Sequence, residues 1–471
     1  MTTTRNRTTA AGLLLAPLLL FVFVGGGGPV SAGTAALATC TRAEDFGAIP
    51  NDGADDRVAL QAAIDAAQAG PRCLVLGAGT FHATRKQTAG TASIPSLRIT
   101  STLAVRGEGK GVTTLAMLGP GSCSGCSNFP NPTDWHLLAI GDGAGTAAGV
   151  SIRDLTLDGS ERINTNEQTH LLQLNGPTQG SLVENVSFRL PVIGPSAGGD
   201  CVRLLGTPTL WVRDTTIRHA TGIDCDRSFV GVQRGVDGLV VENSESVRVG
   251  DQAIDFEPTG GPGFDCQPIV KNVLMRGLTL RRVTTAGVTV AIGGDGCAVA
   301  QNVTLTDSVV DDGGVHIIDV RDVTLSRLHL RNPGGTAAPT VHARKRVTNL
   351  RILDTVIERL AGTGTGNAFK VNAQSGAYPT DVLLSGVRIV QATPGPLVRS
   401  ENLAKLVLVG CQLVYTGPAG TDHAVVVTGD TTQPAEAPVL VDTTVQGLLA
   451  GAVKMGGQFN GAPVLVRVTG P

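Results

Sequence analysis

The segment VTLTDSVVDDGGVHIIDVRDVTLSRLHL, residues 303–330, decides the fold because it contains the same phrase twice. In VTLTDSVV and again in VTLSRLHL, apolar residues alternate with polar ones, stop for two residues and then resume. A shorter alternating run, VHIID, lies between the two copies. Alternation with period two predicts strands, and the Asp- and Gly-rich gap predicts turns.

The phrase recurs along most of the chain, and short strands precede most copies. We count eleven copies, 20 to 34 residues apart, which begin at Val150, Ser181, Leu210, Leu239, Val273, Val303, Val323, Leu350, Val382, Leu406 and Val439. Units of this size without helices between them are typical of a solenoid, in which stacking buries one continuous aliphatic core. A β-sandwich would need antiparallel strands with regular hairpin turns, which the uneven gaps disfavour.

The front of the chain predicts a secretory signal and a cap. Arg5 and Arg7, the apolar run at 12–24 and the small residues at 30–32 predict a signal peptide over residues 1–32, hence a secreted protein with no membrane partner after cleavage. Residues 45–70 predict a loop and then a helix, whose start carries Asp55 and Asp56 and whose apolar face would cap the core. We therefore expect a cap with the first rung over 33–100, continuous with a solenoid over 101–471.

Charge and cysteines restrict the class of protein further. Without Arg5 and Arg7 the formal charge changes from −2 to −4, and no basic block is present, which argues against nucleic acid as a partner. Nine cysteines in an exported chain predict disulfides rather than zinc, since no second close Cys or His pair completes four ligands. The pairs suggested by order are Cys123 with Cys126, Cys40 with Cys73, Cys201 with Cys225, and Cys266 with Cys297, leaving Cys411 over.

Four consecutive motifs near the N-terminus carry a resemblance to a known family. FGA-x-x-NDG-x-DD, A-x-Q-x-AID-A, GAGTF and LAVRGEGKGVTTL lie within residues 45–115. They resemble the N-terminal region of the pectate lyase-like superfamily, which includes polygalacturonases, rhamnogalacturonases, epimerase-like proteins and phage tailspike depolymerases. The resemblance implies an all-β, right-handed parallel β-helix, here of about 11 rungs with an N-terminal capping helix, and action on or binding to polysaccharide.

The polygalacturonase catalytic pattern is largely missing. That family shows Asn-Thr-Asp, then Gly-Asp-Asp one rung later, then Gly-His-Gly. The corresponding residues here are 226–228, 250–252 and 285–287, where only Gly250, Asp251 and Gly287 agree. The family's roles therefore transfer at most to Asp251.

Registering the short strands on their apolar pairs predicts two outward columns on one face. The first column is Gln173, Arg203, Gly231, Asp255, Thr289, His316, His342 and Lys370. The second is Asn175, Leu205, Gln233, Glu257, Ala291, Ile318, Arg344 and Asn372. In AIDFE, Ile254 and Phe256 would face the core, while Asp255 and Glu257 would face solvent among Arg and His residues.

These columns supply the candidate site. Two neighbouring acids suit glycoside hydrolysis, in which one carboxyl protonates the leaving oxygen and the other activates water or attacks. We take Asp255, Glu257, Asp251 and His316 as candidate catalytic residues, and as candidate substrate contacts Arg203, Gln233, Arg234, His342, Arg344 and Lys370. A lyase would instead use Ca²⁺ to neutralise a uronate, with Asp224 and Asp226 as candidate ligands; a hydrolase needs no cofactor.

Sequence leaves three functions open. Hydrolysis and lyase or epimerase chemistry on an extracellular polysaccharide are equally compatible with these residues. A non-catalytic β-helix that binds glycan or acts as a surface adhesin is the alternative, favoured by an aromatic content of only 3 %, because sugar subsites commonly stack on aromatic rings. Outward Asp, Glu and His are also common as plain solvated surface.

Overall fold

The computed structural model describes most of the chain beyond the predicted signal peptide. The described residues are 40–84, 93–118, 134–159, 169–190, 199–257, 268–282, 287–294, 299–332, 338–360, 366–374, 376–403, 405–418, 423–429, 435–447, 449–457 and 459–470. The predicted signal peptide and the cysteine pairs Cys123/Cys126 and Cys266/Cys297 lie outside them.

The predicted solenoid is confirmed: the described strands stack as parallel ladders of a β-helix. One sheet, which we call the site sheet, holds thirteen strands that pair in chain order. They are Ser93–Ile99, Asp134–Ile140, Thr169–Asn175, Val202–Leu205, Val230–Arg234, Ile254–Phe256, Val288–Gly293, Gly314–Ile318, Val341–Arg344, Phe369–Asn372, Val398–Glu401, His423–Gly429 and Gly451–Gly457.

The long sheet forms the rest of each turn and contains twenty-eight of the described strands. They are Thr41–Arg42, Cys73–Val75, Gly79–Ala83, Ala104–Arg106, Thr113–Met117, Ala147–Ala148, Ser151–Asp158, Thr178–Gln179, Leu182–Arg189, Val212–Arg218, Thr221–Ile223, Val236–Glu242, Glu245–Val249, Pro268–Arg276, Thr279–Arg282, Val299–Thr306, Val309–Asp311, Val320–Ser326, His329–Asn332, Thr348–Leu353, Val356–Arg359, Thr380–Ser385, Arg388–Gln391, Leu406–Val409, Gln412–Tyr415, Val439–Val441, Thr444–Gln446 and Val464–Val466. A separate pair joins Ala435–Glu436 to Phe459–Asn460.

The repeated phrase usually covers two strands and the corner between them. In VTLTDSVV the strand Val299–Thr306 ends, Asp307 takes a φ of 50°, and Val309–Asp311 begins. Asp tolerates this left-handed conformation because its short polar side chain bonds locally. The two-residue interruption of the phrase is therefore the corner that turns the chain to the next face.

The core is a stack of aliphatic side chains that point inward from successive rungs. Val230, Ile254, Val290, Val315 and Val341 are register partners on consecutive strands of the site sheet, and all are buried. Burying each such side chain contributes about 1.5–3 kcal/mol relative to leaving it exposed. This stack fixes which residues of the alternating strands face outward.

A helix covers the N-terminal end of the core, as predicted. It runs Arg57–Ala69 after the short 3-10 helix Glu44–Phe46, and its apolar face is buried. Asp56 lies just before the helix and accepts hydrogen bonds from the backbone of Ile49 (2.8 Å) and His82 (3.0 Å). These bonds join the helix start to the first rungs.

Two of the predicted disulfides lie in the described region and both are confirmed. Cys40 is bonded to Cys73, and Cys201 to Cys225. Cys411, which the suggested pairs leave over, is a buried free thiol. In the part of the chain that the structure describes, no helix is long and apolar enough to cross a membrane.

Candidate functional site

The first outward column forms as predicted, with one correction. Across the site sheet, Gln173, Arg203, Gly231 and Asp255 are consecutive register partners. The next partner is Ala291, not Thr289, and His316, His342 and Lys370 follow. The prediction took Val288 and Val290 as the inward pair, whereas the strand uses Val290 and Ile292 and is irregular near Val288.

The second column changes at two places. A register shift near Leu205 brings Arg234 opposite it, where Gln233 was expected. Gly293, rather than Ala291, pairs with Ile318 before Arg344 and Asn372. The rung after Asp255 and Glu257 thus carries the small residues Ala291 and Gly293 in the two columns, and Ile318 of the next rung lies against Gly293.

Asp255 is the most perturbed acid of the site. Its strand, Ile254–Phe256, buries Ile254 and Phe256 in the core, as predicted, yet Asp255 on the other face is only 4 % exposed. Burial, followed by the nearby charges of Glu257 and Asp200, raises the pKa of Asp255 to about 8. The carboxyl group is therefore protonated at neutral pH.

Arg227 connects an acid of the turn before its own to an acid of the turn after it. It donates from Nε to Asp200 Oδ1 (3.0 Å) and from Nη2 to Asp200 Oδ2 (3.1 Å). The same Nη2 lies 3.2 Å from Glu257 Oε2. Arg227 and Asp200 are both buried, while the side chain of Glu257 is 42 % exposed. One guanidinium thus pairs with two carboxylates, and only Glu257 reaches solvent.

Asp200 was not predicted from the sequence. Its carboxylate lies above Gly231, since a Cβ added there would be 2.5 Å from Asp200 Oδ2. Asp200 therefore occupies the space of the missing side chain in the first column, directly beside the rung of Asp255. The signal was present: a glycine in an otherwise polar column indicates that another group fills its place.

A second polar chain lies on the N-terminal side of the acids. Arg203 is buried, lies 2.9 Å from His170 Nε2 and donates from Nη2 to Gln233 Oε1 (2.7 Å). His170 Nδ1 lies 2.9 Å from the backbone nitrogen of Asp200 and its ring stacks on His136 at 5.2 Å. Arg203 and Gln233, predicted as substrate contacts, are thus bonded to each other and brace this part of the site.

Asp251 lies one turn beyond Arg227, as the motif register predicted. Its backbone N–H donates to Arg227 O (3.0 Å), and the N–H of Gly250 donates to Cys225 O (2.9 Å). Residues 226–228 and 250–252 therefore stack on successive turns; residues 285–286 of the third motif lie outside the described region. The charge of Asp251 also contributes to the raised pKa of Asp255.

The histidines form a separate group two and three rungs further along. His316 and His342 pack edge to face at 5.2 Å. Burial, then His342 and Arg344, lower the pKa of His316 to about 3, and burial also lowers the pKa of His342. His342 Nε2 lies 2.6 Å from Asn372 Oδ1, whereas the buried Nε2 of His316 has no hydrogen-bond partner among the described residues.

The remaining predicted cations differ in their pairing. Lys370 lies 3.2 Å from Glu401, which also contacts Arg399 at 2.7 Å. Arg234 and Arg344 form no ion pair with any described residue, and both are partly exposed. They are the predicted contacts whose guanidinium groups carry charge that the described acids do not neutralise.

The two candidate calcium ligands, Asp224 and Asp226, have different surroundings. Asp224 accepts two hydrogen bonds from Arg248, from Nε (2.5 Å) and Nη2 (2.7 Å), while Asp226 is buried. Among the described residues no group of three or more His, Cys, Asp or Glu side chains could hold a metal ion. The calcium site therefore stays a prediction, and Asp224 is already neutralised by an arginine.

No family model matches the chain, and no curated protein matches it. The A-module of mannuronan C-5 epimerase AlgE6 from Azotobacter vinelandii is a similar solved structure, with a TM-score of 0.55 and 17 % identity, covering 91 % of this chain and 99 % of that one. At this identity the likeness shows the fold alone, and the fold is that of the parallel β-helix.

Two weaker likenesses come from different functional classes. The catalytic unit of a GH87 alpha-1,3-glucanase from Streptomyces thermodiastaticus strain HF3-3 has a TM-score of 0.49 and 14 % identity, covering 95 % of this chain and 70 % of that one. PfbA, a surface adhesin of Streptococcus pneumoniae, has a TM-score of 0.44 and 14 % identity, covering 92 % of this chain and 93 % of that one. A fold does not by itself imply a function, so function must be argued from the site.

Proposed function

We propose that the chain is a secreted enzyme that hydrolyses an extracellular polysaccharide at Asp255 and Glu257. One observation carries the proposal: Asp255, buried and with its pKa raised to about 8, and Glu257, 3.2 Å from Arg227, lie two residues apart at the end of one strand. Glycoside hydrolysis requires this division between a proton donor and an ionised partner.

In this mechanism Asp255 gives its proton to the glycosidic oxygen as the bond from that oxygen to the anomeric carbon breaks. Glu257, held by Arg227, either removes a proton from the attacking water or attacks the anomeric carbon itself. Side chains two residues apart on a strand are separated by about 6.5 Å at the backbone, which permits both geometries.

Secretion and the choice of a glycan substrate have independent support. The predicted signal peptide agrees with the two disulfides, which form and persist in oxidising compartments. The AlgE6 module acts, by its name, on a polysaccharide and has the same architecture. The long polar face of the site sheet offers the extended surface that a chain of sugars needs.

The test offers purified protein a panel of neutral and uronic-acid glycans, with and without EDTA. We expect new reducing ends without the absorbance of unsaturated sugars, no effect of EDTA, and loss of products in Asp255→Asn. The matched control is Asp381→Asn, because Asp381 is exposed at a corner of the long sheet. Equal behaviour of wild type and Asp255→Asn, or no product from any glycan, contradicts the proposal; the latter result favours a glycan-binding protein.

Lyase or epimerase chemistry is the second candidate because of His316. Its pKa is lowered to about 3, and a neutral base is therefore available near Arg344. Among the described residues, His316 Nε2 has no hydrogen-bond partner and Arg344 has no ion pair. Such a site would remove a proton from C5 while the arginine neutralises a uronate carboxylate. Unsaturated ends or epimerised residues, lost in His316→Ala, would select this candidate over hydrolysis.

A further inference from the structure

We propose that Arg227 and Asp200 are positioning residues that determine which of the two site carboxyl groups carries the proton. This inference rests on the proposed function for its catalytic meaning, but its geometry stands alone. Arg227 contacts Asp200 at 3.0 and 3.1 Å and Glu257 at 3.2 Å. In the proposed mechanism Arg227 and Asp200 do not touch the reacting atoms, so these two residues act through Asp255 and Glu257.

Three carboxyl groups surround one guanidinium, and their contacts with it are unequal. Arg227 binds Asp200 through two hydrogen bonds and uses the same Nη2 for Glu257, whereas no described hydrogen bond joins it to Asp255. A carboxylate paired with arginine is stabilised in its charged form. Asp255 has three acidic neighbours, Glu257, Asp200 and Asp251, and no described hydrogen bond joins it to the cation, so the proton stays there.

The charged groups that face Asp255 come from four segments of the chain. Glu257 directly follows the strand of Asp255, and Asp251 lies just before that strand. Arg227 lies one turn earlier, and Asp200 lies two turns earlier, above Gly231. The flanking register partners Gly231 and Ala291 add no charge. Burial raises the pKa of Asp255 most, and the three acids raise it further. Of these charged groups, Arg227 is the one that lowers it.

The fold holds this arrangement at two points. The Cys201–Cys225 disulfide joins the residue after Asp200 to the segment that carries Arg227. Backbone hydrogen bonds from Arg227 N to Gly199 O (2.9 Å) and from Cys201 N to Ser228 O (2.8 Å) align the same two segments. Gly231 leaves the space into which the Asp200 carboxylate fits.

The opposite signs give a test that structural damage cannot imitate. The C=O stretching band of protonated Asp255 is followed by infrared spectroscopy against pH, using for each variant a difference spectrum against the same variant with Asp255→Asn. Asp200→Asn removes an acid and should lower the midpoint, while Arg227→Gln removes the cation and should raise it. Each shift should be about one pH unit, as expected for one charge close to a carboxyl.

Two further variants separate charge from position. Arg227→Lys keeps the charge but cannot bind two carboxylates in the same way, so its midpoint should stay near that of wild type while kcat falls at least tenfold. Gly231→Ala keeps every charge but crowds the Asp200 carboxylate, and its midpoint should fall as in Asp200→Asn. Folding of each variant is checked by circular dichroism, and Gly231→Ala replaces Asp200→Asn if the latter does not fold.

Shifts of the same sign in Asp200→Asn and Arg227→Gln, or no shift in either, overturn the inference. Because the titration needs no substrate, it also separates the two proposals. Opposite shifts in a protein that cleaves no glycan would retain the positioning role and reject the hydrolase. Cleavage with an unmoved midpoint would retain the hydrolase and reject the positioning role.

Discussion

The site sheet carries two polar regions that respond differently to the same burial. In the acid cluster, which we define as Asp200, Arg227, Asp255 and Glu257, Asp255 keeps its proton. Arg227 pairs there with Glu257 and Asp200. In the histidine patch, which we define as His316, His342 and Arg344, burial removes the proton instead. Burial leaves Asp255 and the two histidines neutral, but the acid cluster also contains a buried ion pair between Arg227 and Asp200. The acid cluster is therefore organised before a ligand binds, while among the described residues the histidine patch has no hydrogen-bond partner for His316 Nε2 and no acid paired with Arg344.

The largest difference should appear on removing Asp255. Loss of a general acid lowers the rate by about 10²–10⁴-fold, so Asp255→Asn should reduce kcat by this factor with little change in KM. Asp381→Asn should match wild type. An Asp255→Asn enzyme within threefold of wild type on the same glycan would remove Asp255 from the mechanism.

The disulfides permit a matched comparison of site and scaffold. Replacing Cys201 and Cys225 by Ser should lower kcat about 100-fold, since misplacing a site group by about 1 Å has that effect, and should lower the free energy of unfolding by about 2–4 kcal/mol. Replacing Cys40 and Cys73 by Ser should produce a similar loss of stability and leave kcat unchanged. Denaturant unfolding and kinetics check both, and equal effects of the two pairs on kcat would contradict the account.

Stability against pH should reveal Asp255 without any substrate. Because burial raises the folded-state pKa of Asp255 above its unfolded value, the folded protein holds this proton between about pH 4 and 8. The contribution is fully present below the unfolded pKa and is lost as pH rises through the folded one. As pH rises over this range, the free energy of unfolding of the wild-type protein should therefore fall by up to about 1.4 kcal/mol per pH unit more than that of Asp255→Asn. Parallel curves for the two proteins over this range would contradict a raised pKa.

The smallest effects should come from the histidine patch. If it binds substrate in a hydrolase, His316→Ala should raise KM about three- to tenfold and leave kcat nearly unchanged, because it removes binding shared by ground and transition states. The pH profile between 5 and 8 should show no step from His316, whose pKa is lowered to about 3. A large loss of kcat in His316→Ala would reverse the ranking of the two regions and favour the lyase mechanism.

The alternation of apolar and polar residues was enough to locate the rungs and to predict which side of its strand most side chains occupy. Ile254 and Phe256 were assigned to the core, and Asp255 and Glu257 to the outer face, because every neighbouring strand repeats the same apolar pair. The error at Thr289 arose where two valines and an isoleucine, Val288, Val290 and Ile292, permit two registers. Only pairing with the adjacent strand decides between them.

The acids' partners were harder to find because they lie outside the alternating strands. Asp200 and Arg227 are in turns, and their contact depends on the stacking of residues 199–201 on 225–228. Sequence order suggested the Cys201–Cys225 pair but not that it holds these two charges together. The burial of Asp255 also needed the structure, since an outward position in a strand normally predicts exposure.

The protonation of Asp255 at pH 7 is the most direct test of the account. Infrared difference spectra of wild type against Asp255→Asn report it in the absence of substrate. We expect a protonated carboxyl band at pH 7 that disappears with a midpoint near pH 8 and is absent in Asp255→Asn. An ionised Asp255 at pH 7, with its midpoint near 4, would contradict the assignment of this residue as the proton donor.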